Sequence, residues 1–183
     1  MFHYIRLLVN GPRAVGEVGA ALEATPAERV LDLGCGAGGF ATVVPGDYLG
    51  IDLNPSYIAF ARRRFGDARH RFEVRPLADL DGRETFDKAI MASILHHVSD
   101  AEADTVLGVL ARIVRSRLVM LDLDPESANR FQAFLIAHDR GAFVRPAREQ
   151  RAILARHFEV TAERRFTVNT GTAVHTLFIC ERR

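Results

Sequence analysis

Two apolar rhythms alternate along the chain. Runs of strand length occupy residues 30–33, 47–51, 71–75, 86–92, 117–122, 159–166 and 174–181. Between them lie stripes of helical period: Ala14, Val15, Val18, Ala21 and Leu22; Ile58, Ala61 and Phe65; Ala103, Val106, Leu107, Leu110, Ile113 and Val114; Ile153, Leu154 and Phe158. Start and stop signals frame the stripes. Pro12 follows Asn10-Gly11, Pro55 follows Asn54, Ser99 stands three residues before Glu102, and Gly66 closes the second stripe. Strands alternating with helices predict an α/β fold with a doubly wound, mostly parallel sheet. The last two strands are joined by a short connection through Gly171, which permits an antiparallel pair.

One segment leaves this alternation. Asp124-Pro125 starts a helix carrying Phe131, Phe134 and Leu135, and Asp139-Arg140-Gly141 breaks it. A second helix begins at Pro146 and must descend to feed a parallel strand. Residues 123–145 therefore leave and rejoin the sheet at its carboxyl edge, as a candidate acceptor lid. By the same topology the first helix places residues 1–11 near that edge. The chain reads as a single domain, 1–183, with 1–28 forming an N-terminal helix and a second possible lid.

The first apolar run ends in Asp32-Leu33-Gly34-Cys35-Gly36-Ala37-Gly38-Gly39. A strand that stops in clustered glycines lets a ligand approach the backbone closely. Asp52 closes the second run and suits the hydroxyls of a ribose. Gly34, Gly36 and Gly39 also satisfy the G-x-G-x-x-G spacing of dinucleotide sites, so the glycines alone leave the cofactor open. Asp32 decides between the two, because a carboxylate beside the glycines repels a diphosphate and welcomes a cationic ligand.

These residues resemble the class I S-adenosylmethionine-dependent methyltransferases, small-molecule branch. Residues 31–38 look like their first motif, with the E/D-x-G-x-G-x-G pattern complete. Gly50-Ile51-Asp52-Leu53-Asn54-Pro55 looks like their second, ribose-binding motif, and Phe86-Asp87 like the start of their fourth. The resemblance implies a Rossmann-like seven-stranded sheet with an antiparallel last strand and S-adenosyl-L-methionine as cofactor. It implies that Asp32, Gly34, Cys35, Gly36 and Gly38 face the methionine part, Asp52 and Leu53 the ribose, and Ser93 the floor beside the methyl group. For the adenine it points to the loop after the third strand. The family's acidic residue there is replaced by Pro76, which leaves Asp79 or the backbone of Leu77.

Composition narrows the partners. With 183 residues, 48% hydrophobic and 26% charged, the chain has an ordinary globular balance. A net charge of +1 gives no electrostatic case for nucleic acid or an acidic membrane surface. Lys88 is the only lysine, which removes the Lys-Asp-Lys-Glu tetrad of ribose methyltransferases. Ser93-Ile94-Leu95-His96 stands where the methyltransferases of base amines carry an Asn-Pro-Pro-Tyr-like sequence. Two cysteines make no disulfide framework, and no signal segment or bilayer-length apolar run is visible, so a cytoplasmic location is the default expectation. A small-molecule or lipid-like acceptor remains, with no nucleic acid, no membrane span, and an oligomeric state the sequence does not address.

His96 and His97, on the loop after the fourth strand, are the candidate bases, for a hydroxyl or carbon acceptor must lose a proton near neutral pH. Adjacent residues point apart, so one of the two faces the acceptor, and the sequence does not say which. His138, Arg140 and Arg145 are candidates for an acceptor carboxylate or phosphate, although helix capping and surface pairing are the commoner reason for such residues. Asp122 and Asp124 are too few oxygens to argue for a metal. Two other readings stand beside methyl transfer. One is an NAD-dependent oxidoreductase, which lacks a Tyr-x-x-x-Lys pair here; the other is a non-catalytic scaffold or partner protein of the same fold.

Overall fold

The computed structural model describes residues 11–126, 142–167 and 174–183. Among them, helix α1 (Pro12–Leu22) precedes β1 (Arg29–Leu33) and β2 (Asp47–Asp52). Helix α2 (Pro55–Phe65), β3 (His70–Val74), β4 (Phe86–Ala92), α3 (Asp100–Ile113), β5 (Val114–Leu123), α4 (Ala147–Leu154), β6 (Phe158–Thr167) and β7 (Val174–Arg182) follow. The strands form one seven-stranded sheet in the order β3-β2-β1-β4-β5-β7-β6. Pairings from β3 through β5 are parallel, and β7 runs antiparallel to both β5 and β6. The predicted doubly wound sheet with a reversed last strand is thus the observed one.

Local chemistry sets the element ends. The Asn54 side chain accepts from the Ser56 N–H at 2.9 Å, Pro55 takes the first helical position, and Gly66 closes α2. Ser99 and Glu102 form a reciprocal capping box on α3. Gly39–Val43 form a 3₁₀ turn, since Thr42, Val43 and Val44 are β-branched and Pro45 follows. One strand end departs from expectation. Strand β5 begins at Val114, earlier than its apolar run, because the polar Ser116 donates to the Asp87 carbonyl of β4 at 2.7 Å.

The pleat divides the core into two layers. Leu31, Leu49, Ile51, Ala89, Met91, Leu118 and Met120 face α3 and α4. Val30, Tyr48, Ile90, Ala92, Val119 and Leu121 face α1 and α2. Ala14, Val18, Ala21 and Leu22 of α1 are buried in that second layer, so this helix packs as part of the core. The first ten residues, and residues 127–141 of the expected acceptor lid with His138 and Arg140, lie outside the described residues. No helix among the described residues is long and apolar enough to cross a membrane.

The order of the strands positions the site. The chain steps from β1 outward to β2 and β3, then returns to lay β4 on the other side of β1. Loops leaving the carboxyl ends of β1 and β4 diverge, and that switch point is where open α/β sheets take ligands.

Candidate functional site

Three glycines shape the turn after β1. Gly34, Gly36 and Gly38 have φ of 65°, 54° and 82°, and the residues between them do not share that conformation. At Gly34 an added Cβ would stand 2.6 Å from Ile94 Cδ1, and at Gly38 2.7 Å from Phe72 Cε1. Glycine is therefore demanded twice, by the backbone and by close neighbours. The contact with Ile94 also joins the β1 turn to the tip of β4.

The turn is stitched to the end of β2. The Cys35 N–H donates to the Ile51 carbonyl at 3.0 Å, and the Gly36 N–H donates to Asp52 Oδ2 at 3.0 Å. Asp52 Oδ1 accepts from the Asn54 N–H at 2.8 Å. Each carboxylate oxygen of Asp52 thus accepts a backbone donor, which fixes the carboxylate at the end of β2. Beside it, Leu53 is 71% exposed and Val74, opposite Asp52 on β3, is 50% exposed. Two large apolar side chains left open at neighbouring strand ends provide a surface suited to a flat aromatic ligand. Leu77 lies in the 3₁₀ turn Leu77–Leu80 with its side chain in the core, which leaves its backbone as the part able to meet a ligand. Asp79 is exposed on the same turn.

Asp32 is 1% exposed on the layer shared with α1 and α2. Its Oδ2 accepts the Tyr48 hydroxyl at 2.5 Å. Burial, and then the charge of Asp32, push the Tyr48 hydroxyl well above its usual range, so it remains a donor.

Ser93 ends β4 in a left-handed conformation, φ 56°, unusual for a residue with a side chain. It is 4% exposed, and its Oγ has no hydrogen-bond partner among the described residues. Strain and an orphaned hydroxyl at a strand tip mark a place the fold alone does not explain.

The two histidines separate. They lie in the 3₁₀ turn Leu95–His97 with ring centroids 4.0 Å apart. His96 is buried and its Nδ1 donates to Asp122 Oδ1 at the end of β5. Asp122 also accepts from the Leu123 N–H at 2.7 Å and, more loosely, from the His96 N–H at 3.3 Å. A carboxylate only accepts, so His96 carries its proton on Nδ1 and the imidazole lone pair lies on Nε2. His97 is exposed.

The structure withdraws Arg145 from the candidates for an acceptor anion. Its buried guanidinium donates to the carbonyls of Leu95 at 2.6 Å, Phe143 at 3.0 Å and Val98 at 2.8 Å, and to Asp100 Oδ1 at 2.7 Å. It clasps the β4 tip to the start of α3, and its donors are spent. Asp124, fully buried, is held by Arg165 Nε at 2.8 Å and Thr176 Oγ1 at 3.0 Å, while Asp122 serves His96. Two of these pairings, Asp122 with His96 and Tyr48 with Asp32, leave no local sign along the chain. Each joins strands whose adjacency only the sheet order reveals.

A cradle of glycines, a ribose-type carboxylate, an open apolar surface, a buried carboxylate and an orphaned hydroxyl together suit an adenosine bearing a cationic amino-acid arm. Comparison with known proteins agrees. Residues 30–117 match the family model of a methyltransferase domain. The chain is 32% identical over 126 residues to the O-methyltransferase cnsE of Penicillium expansum, an alignment covering 63% of this chain and 45% of that one. The chain spans about half the length of the curated relatives it matches, 45% and 51%. The N-methyltransferase NodS from Bradyrhizobium japonicum WM9, in complex with S-adenosyl-L-homocysteine, has a TM-score of 0.77 at 17% identity, over 97% of this chain and 90% of that one. Magnesium protoporphyrin IX methyltransferase from Synechocystis PCC 6803 has a TM-score of 0.74 at 21% identity, over 93% and 83%. At these identities the structural likeness is one of fold.

Proposed function

We propose that the chain is a class I S-adenosylmethionine-dependent methyltransferase that methylates a hydroxyl oxygen of a small-molecule acceptor. The observation that carries the reading is the His96–Asp122 pair at the tips of β4 and β5, beside the glycine turn. Thiols and amines are nucleophilic enough to need little beyond positioning, whereas a hydroxyl must give up its proton. The word O-methyltransferase in the names of both curated relatives supports the same class of acceptor.

In this reading the glycine turn and Asp32 receive the methionine arm of S-adenosylmethionine, Asp52 accepts from the ribose hydroxyls, and Leu53 covers the adenine. The bound donor supplies an electrophilic methyl carbon on a sulfonium. The protein holds the acceptor oxygen in line with it, a positioning effect worth up to roughly 7–11 kcal/mol. Nε2 of His96 takes the hydroxyl proton, and Asp122 keeps the imidazole in the tautomer that allows this and stabilises the imidazolium that results. Exposed Phe143, whose N–H donates to the His96 carbonyl at 3.1 Å, offers apolar surface on the acceptor side.

The test pairs binding with turnover. S-adenosylhomocysteine should bind in calorimetry and NAD should not; the reverse result would hand the site to an oxidoreductase. A metabolite extract incubated with protein and methyl-labelled donor should yield a labelled methyl ether by mass spectrometry. His96→Ala should lower kcat about 10²–10⁴-fold with S-adenosylhomocysteine binding unchanged, and His97→Ala should stay close to wild type. Labelled product on nitrogen or sulfur, or full turnover by His96→Ala, would refute the hydroxyl reading.

A further inference from the structure

We infer that Tyr48 is a positioning residue for the donor's amino-acid arm, acting through Asp32; the inference rests on the methyl-donor reading above. Asp32 sits on β1 directly across from Gly50 of β2, and Tyr48 lies two residues earlier on β2, opposite Val30. Residues two apart share a face of the sheet, so Tyr48 and Asp32 are diagonal neighbours. Gly50 has no side chain to stand between them. The phenol crosses that diagonal and meets Asp32 Oδ2 at 2.5 Å, in a layer otherwise built from Val30, Ile58, Phe72 and Ile90.

This placement is costly unless it is used. A buried carboxylate among apolar side chains is tolerated only when hydrogen-bonded, and an apolar residue at position 32 would fill the same layer without that demand. The Tyr48 hydroxyl supplies the carboxylate with a hydrogen bond and restricts its rotation, with Oδ2 held toward β2. Asp32 is two residues before Gly34, where the glycine turn begins. A carboxylate of fixed orientation is a better partner for an ammonium group than one free to turn, since less freedom is lost on binding. Tyr48 itself, fully buried with Phe72 5.3 Å away centroid to centroid, touches Asp32 from within the core. Its effect on the donor is therefore indirect.

The test separates this role from simple support of the fold. S-Adenosylhomocysteine carries the amino-acid arm; 5′-methylthioadenosine has the same adenosine and thioether sulfur without it. Tyr48→Phe should weaken S-adenosylhomocysteine by about tenfold, the low end of what a hydrogen bond to a charged group is worth. Methylthioadenosine should hold within about twofold of wild type, the usual scatter between independent sites. In the Asp32→Asn background, adding Tyr48→Phe should leave the ratio of the two dissociation constants unchanged. Equal weakening of both ligands, no weakening of either, or the same loss with Asp32 already replaced would overturn the inference. If Tyr48→Phe alone fails to fold, the double variant against Asp32→Asn carries the test, and a changed ratio there overturns it. Wild-type protein that binds neither ligand would remove the donor reading itself, and this inference with it.

Discussion

Replacing Ser93 by alanine should make the ligand-free protein more stable and the donor weaker. Ser93 carries two costs. A residue with a Cβ held in the left-handed region loses roughly 1–2 kcal/mol, and a buried hydroxyl without a partner about 1–3 kcal/mol. The φ of 56° and the orphaned Oγ are both observed, and the backbone is held in place by the Ser93 N–H donating to the Leu121 carbonyl at 2.8 Å. Ser93→Ala removes the second cost and keeps the first, so a gain of about 1 kcal/mol is expected. For a chain of this length that corresponds to a rise of about 2–4 °C in Tm. Ser93→Gly removes both costs and should rise further. If the hydroxyl's missing partner is the donor, both variants must lose affinity, by about 2–10-fold for one neutral hydrogen bond. Thermal melts with and without S-adenosylhomocysteine, together with calorimetric affinities, read the two effects separately. The opposed signs are the discriminating result. A serine that merely supports the fold would give a lower Tm and an unchanged affinity, and that outcome would refute the reasoning.

Further expectations follow from the other contacts. Asp122→Asn should lower kcat severalfold or more while S-adenosylhomocysteine affinity holds, because an amide can offer its N–H to Nδ1 and so favour the wrong tautomer; an unchanged kcat would dismiss the pair. Gly38→Ala should cost about 1–3 kcal/mol in denaturant unfolding, from backbone strain and from the approach of Phe72 and Ala61; a midpoint equal to wild type would contradict the geometry. Burial pushes the Cys180 thiol up to about 12, so it stays protonated at pH 8 and should resist alkylation until the protein unfolds; peptide mapping of early labelling at Cys180 would show otherwise.

The parts of the site that were legible in the sequence are those written locally. Asp32, the glycines and Asp52 stand within consecutive stretches whose residue types state their own conformations, and the caps at Asn54, Pro55, Ser99 and Glu102 fixed where the loops begin. The parts that were not legible are contacts across the sheet. Asp122 follows His96 by 26 positions and reaches it because β5 lies beside β4. Which histidine faced inward could not be read from the Leu-His-His sequence, since the choice is made by that distant carboxylate. Arg145 read as an available cation because nothing near it in sequence reveals that three carbonyls and Asp100 consume its donors.

Two buried ionic clamps fasten the chain on either side of residues 127–141. Asp124 is riveted by Arg165 and Thr176 where the chain departs, and Arg145 is riveted to the β4 tip where it returns. Both clamps grip the carboxyl rim of the sheet, one binding the end of β5 to β6 and β7 and the other binding the β4 tip to the start of α3. The imidazole sits between these two braces, so its register against the glycine turn is set by the framework before any acceptor arrives.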